Sequence, residues 1–183
     1  MFASTHLEKI KLNFNTQNVI NMSFLFCNCT SLTNLDLSEM NTLKVEDMSH
    51  MFENDISLEK LFLSNYKAQF VKDMSYMFKS CINLKEMKLV NFNSEIVENM
   101  SSMFEECSSL IYLNLDNFNT KNVKNMSKMF KYCNKLTSIN LNNFEINEVK
   151  DMSEMFYSCN SLLELELNNF ITDKKKYYFH VIH

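Results

Sequence analysis

The chain has 183 residues, of which 46% are hydrophobic, and its formal net charge is -4. Acidic and basic residues are interspersed along it, so the charge pattern excludes a basic footprint for nucleic acid and a cationic face for an anionic membrane. No stretch approaches the roughly 18 apolar residues of a membrane span, and the first 12 residues lack the pattern of a secretory signal. We expect one domain over residues 1–183, in which a solvated tail at 171–183 follows the folded part.

A motif of 26 residues dominates the sequence. Val-x-x-Met-Ser-x-Met-Phe-x-x-Cys recurs six times without insertion or deletion, with two substitutions, Leu25 for the second methionine and Asp55 for the cysteine. The Met-Ser pairs begin at Met22, Met48, Met74, Met100, Met126 and Met152. A fixed period of this length is typical of solenoids, in which each repeat packs only against its neighbours. The repeats therefore predict one continuous stack over residues 7–170.

The first element predicted within each repeat is a short helix. Val45, Met48, Met51 and Phe52 are spaced as one face of a helix. An Asp or Asn precedes every Met-Ser pair, and its side chain could accept hydrogen bonds from free backbone N-H groups at a helix start. The spacing predicts about two helical turns, from Met48 to near residue 54, with the repeated serine hydroxyls bonded to backbone groups.

A short strand is predicted next in each repeat. The pattern Leu-x-x-Leu-x-Leu, as at Leu58, Leu61 and Leu63, alternates apolar and polar residues like a half-buried strand. An earlier strand is predicted at residues 7–12. The fold class we expect is an α/β leucine-rich-repeat solenoid of six to seven coils, each with a short helix and a short strand, the strands forming one parallel sheet.

Cysteine recurs in register with the buried positions, which predicts a column of free, buried thiols. The in-register cysteines are Cys29, Cys81, Cys107, Cys133 and Cys159. A column does not converge three or four ligands on one point, so we expect no zinc site. Asp55 stands at the cysteine position of the second repeat, where a buried carboxylate requires backbone donors or local opening of the coil.

The sequence has no recurring combination of a nucleophile, a histidine and an acid that would indicate a catalytic site. His6, His50, His180 and His183 never recur with a nucleophile and an acid. No glycine-rich phosphate loop, catalytic carboxylate pair or cofactor motif is present in the sequence. We therefore expect no enzyme activity, no cofactor and no metal.

The repeat motif resembles that of the BspA-like leucine-rich-repeat surface proteins, in particular the mycoplasma-type lipoprotein repeat. The resemblance rests on Leu-x-x-Leu-Asp-Leu, Asn-Phe-Asn-Thr and Val-x-x-Met-Ser-x-Met-Phe-x-x-Cys-x-x-Leu, and runs from about Leu7 to Phe170. It implies a cell-surface or secreted protein that takes part in adhesion and in contact with a host or matrix. The alternative is an intracellular scaffold or effector repeat protein.

The outward-facing strand positions vary between repeats, which is typical of the binding surface of a solenoid. Apolar side chains at Phe62, Val90 and Tyr112 are expected to be exposed there. The candidate ligand-binding residues are Phe62, Lys88, Val90, Tyr112, Asn114, Asn140, Glu164 and Glu166. The expected ligand is a protein or a glycan, and the open ends of the stack are expected to permit self-association.

Overall fold

The chain winds into a stack of coils, each 26 residues long and each contributing one short parallel strand. The structure is a computed structural model that describes residues 1–10, 15–63, 68–89, 94–165 and 170. We number the coils 1 to 6 from residues 21, 47, 73, 99, 125 and 151. The strands are β1 Asn34–Asp36, β2 Lys60–Phe62, β3 Glu86–Lys88, β4 Tyr112–Leu113, β5 Ser138–Ile139 and β6 Glu164–Leu165. The fold is a leucine-rich-repeat solenoid, as predicted, and the predicted tail at 171–183 lies outside the described residues.

The core consists of columns of identical side chains, because equivalent residues of successive coils lie directly above one another. The strands pair in a register of one repeat, as with Leu35 opposite Leu61. The phenylalanine column is continuous from Phe2 to Phe156, with neighbouring ring centroids 5.3 to 5.7 Å apart. Offset-stacked rings at this spacing add favourable contacts beyond the burial of their apolar area. The stack is thus held by contacts between coils.

The strands form two sheets, which corrects the prediction of one. One sheet has the order β1-β2-β3 and the other β4-β5-β6, with no pairing between β3 and β4. At this seam the rings of Phe78 and Phe104 are inclined by 17°, against 3 to 11° at the other steps of the column. The turn segments on either side remain bonded, for example from the Phe78 N-H to the Met103 carbonyl at 2.9 Å. Coils 3 and 4 therefore separate on the strand side only.

The predicted helices are wrong for the described residues, in which the helix positions form successive β-turns. In coil 2 the Glu53 N-H donates to the His50 carbonyl and the Asp55 N-H to the Phe52 carbonyl, three residues back. Two residues in each turn segment have positive φ, as at His50 (58°) and Asn54 (61°). A positive φ is incompatible with a right-handed helix. The chain has no glycine, so residues with a Cβ atom occupy these positions.

Bonds between coils explain why the turns form in place of a helix. Alternate N-H groups of each turn segment point to the next coil, and the intervening carbonyls point to the previous one. In coil 2 these bonds run from Met48 to Asp73 (3.0 Å), His50 to Ser75 (2.9 Å), Phe52 to Met77 (2.9 Å) and Asn54 to Lys79 (2.8 Å). A helix would use the same groups within one coil, so that on this side of the stack the coils would be joined by side chains alone.

The Asp or Asn before each Met-Ser pair caps backbone N-H groups as predicted, but it caps a turn and not a helix. The Asp47 Oδ1 accepts the Ser49 N-H at 2.9 Å, two residues on. This bond caps a turn, and Asp47 itself forms a parallel bridge to Asp73 of the next coil. In three repeats the serine hydroxyl donates to the preceding Asn side chain and not to the backbone as predicted, as in the 2.8 Å bond from Ser101 Oγ to Asn99 Oδ1.

Lys128 offers a direct test of turn against helix, because its φ is 59°. We expect Lys128→Gly to be more stable than Lys128→Ala by about 1 kcal/mol, since a Cβ atom in the left-handed region costs about 1–2 kcal/mol. In a helix the order is reversed, with alanine favoured by about 1 kcal/mol. Both variants remove the same lysine side chain, so urea unfolding of the pair isolates the backbone term. An alanine variant at least as stable as the glycine variant would contradict the turn.

Candidate functional site

The outward side chains of the strands form the predicted surface, here called the strand face. Tyr112 is 57% exposed on β4, as expected for a contact residue. Phe62 on β2 is half-buried, although it was expected to be exposed. The Lys88 ammonium lies 5.5 Å from the centroid of the Phe62 ring. Glu86 pairs with Lys60 at 3.4 Å and with Lys88 at 4.0 Å. The first sheet therefore presents a mixed-charge surface, and the second, with Tyr112, Ser138 and Glu164, presents a less charged one.

Three candidate residues line one depression on the second sheet. Tyr112, Asn140 and Glu164 surround a hollow of about 190 Å³ together with Ser138, Ile139 and Asn142. The Asn140 side chain donates to Asp116 Oδ1 at 3.1 Å, and its Oδ1 accepts the Asn142 N-H at 3.0 Å. These bonds hold Asn140 in place at the floor of the hollow.

The other candidates are placed differently. Asn114 is exposed beside this hollow, and its Oδ1 accepts the Asp116 N-H at 2.8 Å. Lys88 belongs to the first sheet, across the seam. Val90 and Glu166 lie outside the described residues. The depression therefore joins Tyr112, Asn140 and Glu164 but not Phe62 or Lys88.

A larger groove of about 460 Å³ lies beside the loops that precede the turn segments of coils 4 to 6. Its lining includes Glu98, Lys124 and Glu148. The Lys124 ammonium donates to Glu98 at 2.6 Å, and this bond lowers the pKa of the Glu98 carboxyl. Charges of both signs pair with each other here, so the groove has no single-sign field for a charged ligand.

The cysteines form the predicted column of free thiols. Each in-register thiol donates to the carbonyl of a phenylalanine in the previous coil, as from Cys107 Sγ to Phe78 at 3.2 Å. Burial raises the pKa of the Cys159 thiol, and that of the out-of-register Cys27 thiol, to about 11. The thiols are thus neutral at physiological pH, and a neutral thiol is neither a good nucleophile nor a metal ligand.

Asp55 occupies the thiol position of coil 2 and is fully buried. Its Oδ1 accepts the Cys29 N-H at 2.7 Å. Of the two alternatives, backbone donors or local opening of the coil, the structure therefore has a backbone donor. The second oxygen, Oδ2, has no hydrogen-bond partner among the residues that the structure describes. Burial raises the pKa of the Asp55 carboxyl from 3.8 to about 8. The side chain is therefore a neutral acid over most of the physiological range.

Sequence reasoning missed the turn face, which we define as the side chains at residues 24, 27 and 28 and at the equivalent positions of the other coils. In coils 1 to 3 the rings of Phe24, His50 and Tyr76 stack at 4.4 and 4.6 Å. In coils 5 and 6, Lys131 lies against two tyrosine rings. The sequence feature that could have indicated this surface is its variation: residues at these positions differ between repeats, while the buried positions scarcely change.

Among the described ranges, no helix is long and apolar enough to cross a membrane. The same ranges contain no group of three or more histidine, cysteine, aspartate or glutamate side chains that could hold a metal ion.

The family is settled by a profile match. The profile described as "Mycoplasma protein of unknown function, DUF285" matches residues 1–88 and 81–181. The chain belongs to this family. The DUF285 match spans both sheets and all six coils, in agreement with the resemblance of the repeat motif to the mycoplasma-type repeat. No curated protein matches the sequence.

Two solved structures are similar to this DUF285 chain. A leucine-rich repeat protein from Bacteroides ovatus ATCC 8483 is 22% identical, with 79% of this chain and 36% of that chain covered and a TM-score of 0.49. The Leucine Rich Repeat protein of T. pallidum is 17% identical, with 79% and 72% covered and a TM-score of 0.43. The chain thus spans about a third of the length of the Bacteroides ovatus protein.

Proposed function

We propose that the chain is a non-enzymatic binding module, part of a surface protein in adhesion, which contacts a protein or glycan of a host or matrix through its strand face. The proposal is supported by one observation above the others. Tyr112, more than half exposed, stands at the rim of the depression that also contains Asn140 and Glu164. An exposed aromatic ring beside fixed polar groups suits both a protein side chain and a sugar ring.

The pattern of variation supports the strand face as the contact surface. The inward strand position is apolar in every coil, from Leu35 to Leu165. The outward position before it is Asn34, Lys60, Glu86, Tyr112, Ser138 or Glu164. A stack that fixes its core and varies its outer surface can change ligand without changing fold.

The proposal is tested by probing an array of host matrix proteins and glycans with wild type and the double variant Phe62→Ala/Tyr112→Ala. We expect binding to at least one target and a loss of about tenfold or more in the double variant, as for aromatic contact residues in general. A Phe70→Ala variant is the matched control, since Phe70 is an exposed aromatic outside the strands. Binding that is absent, or unchanged in the double variant, would refute the strand-face proposal.

The surface role has a separate test. Antibody raised against the folded chain should label intact source cells if the parent protein is displayed. Labelling that requires permeabilised cells would refute the surface role and favour an intracellular scaffold, while leaving strand-face binding to be judged by the array.

A further inference from the structure

We propose that the turn face of coils 5 and 6 carries a binding site for alkylated ammonium groups, built from Tyr132, Tyr157 and Glu154 and occupied in this structure by the chain's own Lys131. The site lies on the turn face and does not rest on the strand-face proposal. An ammonium group surrounded by aromatic faces and a carboxylate is the arrangement that recognises organic cations.

The geometry of the site is that of a two-sided aromatic cage. The Lys131 ammonium lies 5.1 Å from the centroid of the Tyr132 ring and 5.0 Å from that of Tyr157. The two rings are 5.5 Å apart and nearly perpendicular, at 89°. They therefore form two walls at a right angle, and both distances fall within the roughly 6 Å over which a cation is attracted to a ring.

A carboxylate completes the cage. The Lys131 ammonium donates a hydrogen bond to Glu154 Oε2. This bond raises the pKa of Lys131 and lowers the pKa of Glu154, so both groups are charged at neutral pH. The Lys131 side chain is only 15% exposed, so most of it packs against neighbouring side chains.

The residues of the cage occur together only where coils 5 and 6 meet. The position of Tyr157 is held in earlier coils by Cys27, Glu53, Lys79, Glu105 and Lys131. The position of Tyr132 is held elsewhere by Asn28, Asn54, Ser80, Glu106 and Ser158. These residues are not required for the turn, because five other coils form it without them. Variation confined to one pair of coils favours a recognition role over a structural one.

A comparable cluster in coil 3 is incomplete. The Lys79 ammonium lies 5.5 Å from the Tyr76 ring and 3.5 Å from Glu105. It thus has one ring and a carboxylate, where Lys131 has two rings. The chain thereby supplies its own matched control for the second ring.

Lys131 acts as a tethered competitor in the native chain. A side chain attached beside its own site is present at an effective concentration in the millimolar range, so an external ammonium must displace it. Removing Lys131 leaves two ring faces and the charge of Glu154 without a cation. A methylated ammonium fits this vacancy better than a primary one, because its methyl groups contact the rings and it is more weakly hydrated.

The test measures binding of tetramethylammonium chloride to wild type, Lys131→Ala, Lys131→Gln, Lys79→Ala and Lys131→Ala/Tyr157→Leu by NMR titration of the tyrosine ring signals. Sodium chloride at equal ionic strength is the salt control. We expect both Lys131 variants to bind at least about tenfold more tightly than wild type. Lys79→Ala should show no such gain, and the Tyr157→Leu change should reverse the gain by about tenfold.

Folding of each variant is verified by its melting transition before titration, and the lysine variants leave the core untouched. Lys131 variants that fold but bind no more tightly than wild type would overturn the proposal, as would an equal gain in Lys79→Ala. Parallel titrations with choline and with free trimethyl-lysine then assign the source of the ammonium. Tighter binding of choline indicates a headgroup, and tighter binding of trimethyl-lysine indicates a modified protein.

Discussion

Replacing Asp55 with cysteine is expected to stabilise the protein by several kcal/mol at pH 8 and by much less at pH 4. Asp55 is fully buried, and its Oδ2 has no hydrogen-bond partner among the described residues. The other in-register side chains at this position are thiols that donate to a carbonyl of the previous coil, as Cys81 does to Phe52 at 3.1 Å. A cysteine at residue 55 would restore this pattern and remove a buried acid.

The dependence on pH follows from the pKa of Asp55 in the two states. Burial raises it to about 8 in the folded protein, against an ordinary value of 3.8. Between these values the unfolded chain has lost the proton and the folded chain retains it. The free energy of unfolding therefore falls as the pH rises from about 4 to about 8, by roughly 1.4 kcal/mol per pH unit and about 4–6 kcal/mol in all.

The measurement is urea unfolding of wild type and Asp55→Cys at several pH values, with the difference between them plotted against pH. Other carboxylates titrate equally in both proteins and cancel. Asp55→Asn is the matched control, because an amide can still accept the Cys29 N-H but does not ionise, so its difference from wild type should follow the same slope. The reciprocal change Cys107→Asp should introduce a loss of similar size. A difference that is independent of pH would contradict a buried neutral acid at residue 55.

Replacing Phe104 with alanine is expected to destabilise the protein by about 3–5 kcal/mol, the usual cost of removing a buried phenylalanine. Phe104 is fully buried and stacks on Phe78 at 5.3 Å and on Phe130 at 5.7 Å. Its loss leaves a cavity and interrupts the ring column at the seam, where no strand pairing compensates.

Phe156 provides the comparison for Phe104. Its ring stacks on Phe130 at 5.3 Å and on no second ring among the described residues. Phe156→Ala should therefore cost less than Phe104→Ala when both are measured by thermal and urea unfolding. Equal losses at the two positions would show that stacking between coils contributes little beyond burial.

The period of the repeat was sufficient to predict the solenoid but not the conformation within a coil. The apolar spacing of Val45, Met48, Met51 and Phe52 fits one face of a helix, and all four side chains are indeed buried. The same side chains are buried by consecutive turns whose N-H groups bond to the next coil. Periodicity reports which residues face inward, but it does not report where their backbone groups bond. In a chain without glycine, positive φ was expected at Asn and Asp; it is found at Asn28 and Asn54, but also at residues that seldom adopt it, such as Tyr76 and Glu154.

The candidate site was predicted in part. Alternation along the strands was enough to place Tyr112 on the exposed face, as found. Phe62 is less exposed than expected because Lys88 covers its ring. The cage around Lys131 could not be predicted, since it depends on a turn that brings Tyr132 and Tyr157 of different coils together. The seam could not be predicted either, because coils 3 and 4 have the same length as the others.

The one-way hydrogen bonding of the turn segments has a consequence for how such a chain can change in length. Among the described residues, coils 1 to 5 each offer the same N-H groups to the coil that follows, and coils 2 to 6 each offer the same carbonyls to the coil before. Deleting or duplicating a block of 26 residues in frame would join coil to coil with no mismatched partner. Unequal recombination between the copies could therefore lengthen or shorten the stack by about 4.8 Å per coil without requiring a new kind of contact between coils.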